Sequence, residues 1–131
     1  MVNSYITKEE LLLLHHKSIK RFGGLDGIKS PEHEGLIDSC LSHIQNDDYY
    51  PDLESKSVHL YWSLIKNHCF EDGNKRIALR AVTFFWLKNG IEYDVANSFI
   101  KQHGISLTEG IAAGKFEKNQ VFSIIQDFLK S

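Results

Sequence analysis

Apolar residues recur along this chain at helical spacing in six segments, and little else is patterned. The first segment is announced by Thr7-Lys8-Glu9-Glu10, a capping box in which the Thr7 hydroxyl serves the third amide while Glu10 reaches back. Its end is predicted at Gly23-Gly24. Ser30-Pro31 opens the second helix, because serine caps and proline fits the first helical position, and Leu36, Ile37, Leu41 and Ile44 follow at helical spacing. Turn formers over 46–52 interrupt the pattern and predict an exposed loop. Val58, Tyr61, Trp62 and Ile65 mark one face of a helix from 55 to about 67. Ile77, Ala78, Ala81, Val82, Phe85 and Trp86 do so over 74–89, where Gly90 supplies the C-terminal cap. Ser106-Leu107-Thr108-Glu109 reads as a further capping box, closed by Gly114, and Val121, Ile124, Ile125, Phe128 and Leu129 stripe the last helix. Strand signal is confined to 91–95. Without repeats, linkers or low-complexity tracts, the pattern predicts a compact all-α fold forming a single domain over residues 1–131.

Composition narrows the class without naming a function. A content of 42% hydrophobic and 24% charged residues fits a soluble folded protein and excludes both a disordered chain and a membrane span. Fifteen basic against seventeen acidic residues, with no basic block, argue against direct nucleic-acid binding. Cys40 and Cys69 show neither CxxC spacing nor a neighbouring ligand cluster, so free thiols in a reducing compartment are expected. The apolar run 11–14 lies between Glu9-Glu10 and His15-His16, unlike a signal peptide, and a cytoplasmic location is expected.

The chemistry concentrates in Asn67-His68-Cys69-Phe70-Glu71-Asp72-Gly73-Asn74-Lys75-Arg76, a turn feeding a helix N-terminus. The first amides of a helix lack intrahelical partners and carry the positive end of its dipole, so a phosphate placed there is held by backbone N–H groups. Lys75 and Arg76 add two cations to that first turn, against the local preference, and a bound anion is the plainest compensation. Gly73 permits backbone angles that let the turn close around a ligand, and Asn74 can cap the helix or donate its amide to phosphate. Asp72 offers the hard oxygen that Mg²⁺ on a nucleotide needs. Imidazole changes charge near neutrality, which makes His68 a candidate general base for an attacking hydroxyl. Phe70 is expected to turn into the core. His15, His16, His33, His43, His59 and His103 receive no functional role.

This window is similar to the signature of the Fic/Doc superfamily, His-x-Phe-x-Asp/Glu-Gly-Asn-Gly/Lys-Arg, with Lys75 where the adenylylating Fic branch usually has glycine. Arg21-Phe22-Gly23-Gly24-Leu25-Asp26-Gly27 resembles the Arg-Tyr-Gly-Gly-x-x-Gly of Doc (death-on-curing) toxins, and the segment from Gly110 to Gly114 resembles their Gly-Ala-Ala-Thr-Gly. The likeness runs over about 6–129. It implies an all-helical Fic fold and an ATP- and Mg²⁺-dependent kinase acting on a threonine or serine hydroxyl. The expected target is translation elongation factor Tu, with arrest of translation as the outcome. By motif, His68 would be the base, Asp72 the Mg²⁺ ligand, and Gly73, Asn74, Lys75 and Arg76 the phosphate cradle. The resemblance also implies an antitoxin protein as partner.

Two alternatives remain at this level: a Fic-type adenylyltransferase using the same base with the nucleotide reversed, and an inactive Fic-fold module that binds nucleotide or a partner. Leu79 stands where adenylylating enzymes carry a second arginine, which disfavours the first. The same absence removes the partner that an inhibitory Glu34 would need, although Ser30 to Glu34 matches the short autoinhibitory pattern. Cys69 replaces a proline usual in the Fic branch. Asp48, Tyr49 and Tyr50 occupy the place expected for a substrate-docking flap.

Overall fold

The elements form where their caps and apolar faces dictate. The computed structural model describes residues 2–130. Helix α1, Lys8–Phe22, begins with the Thr7–Glu10 capping box fully made, and α2, Pro31–His43, is capped by the Ser30 hydroxyl accepting from the His33 amide. Helix α3, Leu53–Asn67, starts two residues ahead of the spacing-based expectation because Asp52 is its cap and Ser55 the reciprocating partner. Helix α4 spans Asn74–Lys88. Then come α5 (Tyr93–Phe99), a π-helical turn (Ile100–Gly104), α6 (Ile105–Ala112) and α7 (Lys118–Lys130).

Two local signals yielded to packing. The strand-like stretch 91–95 enters α5, since Ala96 and Phe99 fall three residues apart on one buried face. Phe99 meets Trp86 edge-on at 4.9 Å between centroids and Phe128 at 5.2 Å, a contact that outweighs the β preference of Ile91, Tyr93 and Val95. The capping box at Ser106 does not form, because the chain is already helical through the π-turn. Glu109 is directed to Lys75 instead, at 3.0 Å.

Helices α3 and α4 pack together at the centre, flanked by α2, α6 and α7 on the α3 side and by α1, α5 and α6 on the α4 side. The predicted stripes bury on α3 at Val58, Tyr61 and Ile65, with Trp62 half-buried, and throughout on α4 at Ile77, Ala78, Ala81, Val82, Phe85 and Trp86; on α2 and its C-cap, Ile37, Leu41 and Ile44 bury while Leu36 stays exposed. Most polar atoms inside this core find partners, as burial demands, and His59 Nε2 on α3 is the exception among the described residues. The Trp86 indole donates to Ser57 Oγ at 2.7 Å, and the Tyr61 and Thr108 hydroxyls share a bond. Burial pushes the Tyr61 phenol up to about 12.

Both cysteines are free and buried, and burial raises both thiols, Cys40 to about 12, which keeps them unreactive. No helix among the described residues is long and apolar enough to cross a membrane. Because α3 and α4 are consecutive and packed side by side, the short turn between them is pinned at both ends. That turn, with the first residues of α4, carries the candidate site residues His68 to Arg76.

Candidate active site

The turn begins with strain. Asn67 ends α3, and His68 takes a left-handed conformation, φ 51° and ψ 53°, as the one non-glycine residue with positive φ among those described. Such a backbone costs a β-carbon-bearing residue about 1–2 kcal/mol, so neighbouring contacts must hold it there. The conformation leaves the imidazole exposed while Cys69 and Phe70 turn inward, each 1% exposed. Phe70 stacks on the His15 ring at 3.8 Å between centroids. Asn74 then staples the loop, its Oδ1 accepting from the Phe70 amide and its Nδ2 donating to the Phe70 carbonyl, both at 2.9 Å.

A second segment completes the scaffold. Ile28 pairs with Phe70 in an isolated antiparallel bridge, flanked by the Lys29 amide donating to the Cys69 carbonyl at 2.9 Å and the Glu71 amide to the Gly27 carbonyl at 3.0 Å. Asp72 Oδ2 accepts from the Leu25 amide at 2.7 Å, and the Asp72 carbonyl accepts from His15 Nε2 at 2.7 Å. Asp26 faces His15 Nδ1 at 3.3 Å and bonds His16, whose ring holds the Asp26 carboxyl below the usual carboxylate range. Gly24 lies so close that an added β-carbon would sit 2.9 Å from that of Asp72. The loop between α1 and α2 and the motif are therefore one structural unit.

Gly73 caps α4 in the left-handed region at φ 75°, where no side chain bonds the first turn and no acidic residue occupies it. An added β-carbon would press on Ile19 at 3.3 Å and Arg76 Nη2 at 3.4 Å, so this position needs glycine for both angle and space. Uncapped first-turn amides facing an unneutralised dipole end are what an anion requires. Lys75 is exposed and pairs with Glu109 on α6. Arg76 is held from α1, with Nε donating to Ser18 Oγ and Nη2 to the Gly23 carbonyl, each at 3.3 Å, and its guanidinium lies 5.2 Å from the centre of the Phe22 ring.

His68, Glu71, Asp72, Gly73, Asn74, Lys75 and Arg76 line one open cavity of about 230 Å³. All six site residues expected from the sequence thus converge, though Asn74 contributes differently than a phosphate-facing amide would. Its side chain is 4% exposed and committed to Phe70, leaving its backbone to the cavity's helix end. No group of three or more His, Cys, Asp or Glu residues among those described could cage a metal. A single carboxylate suits Mg²⁺ that arrives with a nucleotide and completes its shell with phosphate and water. Asp72 fits that role, its second oxygen taking no hydrogen bond from the described residues.

Sequence reasoning missed two contributors. His15, which had no assigned role, is 1% exposed and braces the motif through Phe70 and Asp72. Lys29 reaches His68, its ammonium donating to Nδ1 at 2.6 Å. The expected flap is displaced as well. Asp48, Tyr49 and Tyr50 lie before the N-terminus of α3, with Tyr50 stacked on His59, whereas His68 follows its C-terminus. The 15 residues of α3 run roughly 22 Å from the end of that loop to His68, and Tyr50 folds back along them as far as His59. The segment that adjoins the motif is the α1–α2 loop. Glu34 bonds Lys8 at the start of α1, far from the cavity that meets the other end of that helix, in keeping with no inhibitory role.

The sequence model of the Fic/DOC family matches residues 5–86. The chain is 31% identical over 120 residues to the protein kinase doc of Escherichia phage P1, covering 89% of each. It is 39% identical over 62 residues to the toxin Doc of Mycolicibacterium smegmatis, covering 44% of this chain and 48% of that one.

Proposed function

Because the chain belongs to the Fic/Doc family, we propose that it is a Doc-type toxin, a kinase that moves the γ-phosphate of ATP to a serine or threonine hydroxyl of a target protein. Translation elongation factor Tu is the expected target, and an antitoxin protein the expected restraint. The observation that carries this reading is the convergence of an imidazole, one carboxylate and an uncapped, cationic helix N-terminus on a single cavity.

Backbone amides from Gly73 onward, with Lys75 and Arg76, hold the phosphates by charge-assisted hydrogen bonds. Asp72 would hold Mg²⁺, which supplies neutralisation of the phosphate oxygens. His68 accepts the proton of the target hydroxyl as the oxygen bonds the γ-phosphorus. The bond from that phosphorus to its bridging oxygen breaks, and ADP leaves with the electron pair. Phosphoryl transfer draws its rate mainly from positioning and charge stabilisation, so a rigid turn with few side chains suffices.

Orientation of the nucleotide separates this reading from adenylyl transfer. Leu79, one turn along α4 from Arg76, lines a groove with Leu14, Phe22 and Phe84; Arg21, Arg76 and Arg80 line it too, but position 79 itself offers no cation for a reversed triphosphate. The test is ATP labelled in the γ- or the α-phosphate, incubated with cell lysate and with wild type or His68→Ala. Label from the γ-position on protein, lost in His68→Ala, is expected. Transfer of α-label would establish the adenylyl reaction instead, and no label with nucleotide still bound would leave a binding module.

A further inference from the structure

Resting on the kinase reading above, we propose that Lys29 masks the base in the empty site and that an incoming nucleotide phosphate unmasks it by drawing the ammonium away. The Lys29 ammonium has only protons to give, so in its 2.6 Å bond to His68 the imidazole Nδ1 must be the acceptor. In the neutral ring the remaining proton then sits on Nε2, because the bond made by one nitrogen decides the state of the other. Both nitrogens are occupied. A hydroxyl brought to His68 in this state finds no lone pair to take its proton.

The contact is built, since the Lys29 backbone is fixed by its amide bond to the Cys69 carbonyl, next to the Ile28–Phe70 bridge. Its side chain is nevertheless free to choose a better partner. None of the ion pairs among the described residues involves Lys29, whereas Lys8, Lys56, Lys75 and Lys88 all have carboxylates. An ammonium on an anionic phosphate oxygen joins two opposite charges, an attraction that its bond to a neutral imidazole lacks. His68 lines the same cavity as the cationic turn at Lys75 and Arg76, so a bound terminal phosphate comes within reach of a four-carbon stem. With Lys29 on phosphate, the ring proton redistributes and one nitrogen lone pair opens to the target hydroxyl. The proton moves to that nitrogen, the hydroxyl oxygen bonds the γ-phosphorus, and ADP departs with the electrons of the broken bond. Base activation is thereby tied to occupancy of the phosphate site.

The test is two-bond ¹H–¹⁵N spectroscopy of the imidazoles in the intact chain, with the His68 signals assigned by their loss in His68→Gln. Empty wild type should show protonated Nε2 and a hydrogen-bonded Nδ1. Lys29→Met should lose that signature, Lys29→Arg should keep it, and Mg²⁺·ATP or Mg²⁺·ADP added to wild type should abolish it where the phosphate reaches Lys29, ATP the more fully. In phosphate-transfer assays Lys29→Met should raise KM for ATP about ten- to a hundredfold, the loss of one charge-assisted bond, with kcat within about threefold of wild type. An unchanged His68 spectrum in Lys29→Met, or a wild-type spectrum indifferent to saturating Mg²⁺·ATP, overturns the proposal. So does a fall in kcat at unchanged KM, which would make Lys29 a residue that orients the base. The spectra require binding and not turnover, so absent phosphate transfer with a responsive His68 spectrum counts against the kinase reading alone.

Discussion

Replacing Asn74 separates two meanings of the same motif residue. In Asn74→Ala both bonds to the Phe70 backbone disappear, leaving an amide and a carbonyl unpaired at a residue 1% exposed. An unsatisfied buried polar group costs about 1–3 kcal/mol. Partial access of water to the loosened loop brings the pair to about 3 kcal/mol. For a domain of this size that lowers the melting temperature by about 10 °C. His68 follows immediately after α3 and depends on the same loop for its left-handed backbone, so phosphate transfer should fall through kcat by tenfold or more. Asn74→Asp sharpens the test, because its carboxylate still accepts from the Phe70 amide but turns an acceptor toward the Phe70 carbonyl; it should be no more stable than the alanine variant. Thermal melts read beside initial rates at varied ATP decide the matter. A melting curve within 2 °C of wild type, with the loss confined to KM for ATP, would refute the clamp and make the amide a nucleotide ligand.

Asp72→Asn keeps an oxygen to accept from the Leu25 amide, so its melting temperature should stay within about 3 °C of wild type while Mg²⁺-dependent transfer drops at least a hundredfold; retained activity would remove Asp72 as the metal ligand. Arg76→Ala should weaken ATP binding by about ten- to a hundredfold and Lys75→Ala by less, since Arg76 is held by Ser18 and Gly23 whereas Lys75 is tethered only to an exposed carboxylate; titration calorimetry giving the reverse order would contradict the assigned geometry. Burial, then the charges of Lys118 and His43, lowers His59 to about 4, below the 6.5 of an ordinary imidazole. The depressed value makes its stabilising contribution full above pH 6.5 and lost as pH falls toward 4. Melting temperatures should decline over that window in wild type and less steeply in His59→Gln; parallel slopes would exclude His59 as the titrating group.

Features written into adjacent residues were legible in the sequence, and those made by distant ones were not. Thr7, Ser30 and Gly90 fix helix ends through bonds or angles within a few positions, so six helices could be placed closely. The strand signal at 91–95 failed because Phe99 is captured by Trp86 and Phe128, residues that no local window contains. The site divides in the same way. His68 to Arg76 are contiguous, and their chemistry can be read from charge, glycine and helix-end physics alone. The support from His15 on α1 and the contact from Lys29 depend on pairing between loops far apart in the chain. His15 carried one weak signal, lying at helical spacing from Leu11 and Ile19 on the buried face of α1, a place where a polar ring must find partners. Assigning the flap to 46–52 overlooked that α3 lies between that loop and His68.

The paired bonds on either side of Phe70 also bear on what could be moved to another protein. Gly27 and Lys29 grip the backbone at Glu71 and Cys69, so the motif and the α1–α2 loop part company only by surrendering both bonds. A graft of 68–76 alone into a foreign helical hairpin would carry the reactive groups without the brace that keeps His68 in its unfavourable conformation. The smallest portable unit is two windows, 15–30 and 68–76, inherited or engineered as a pair.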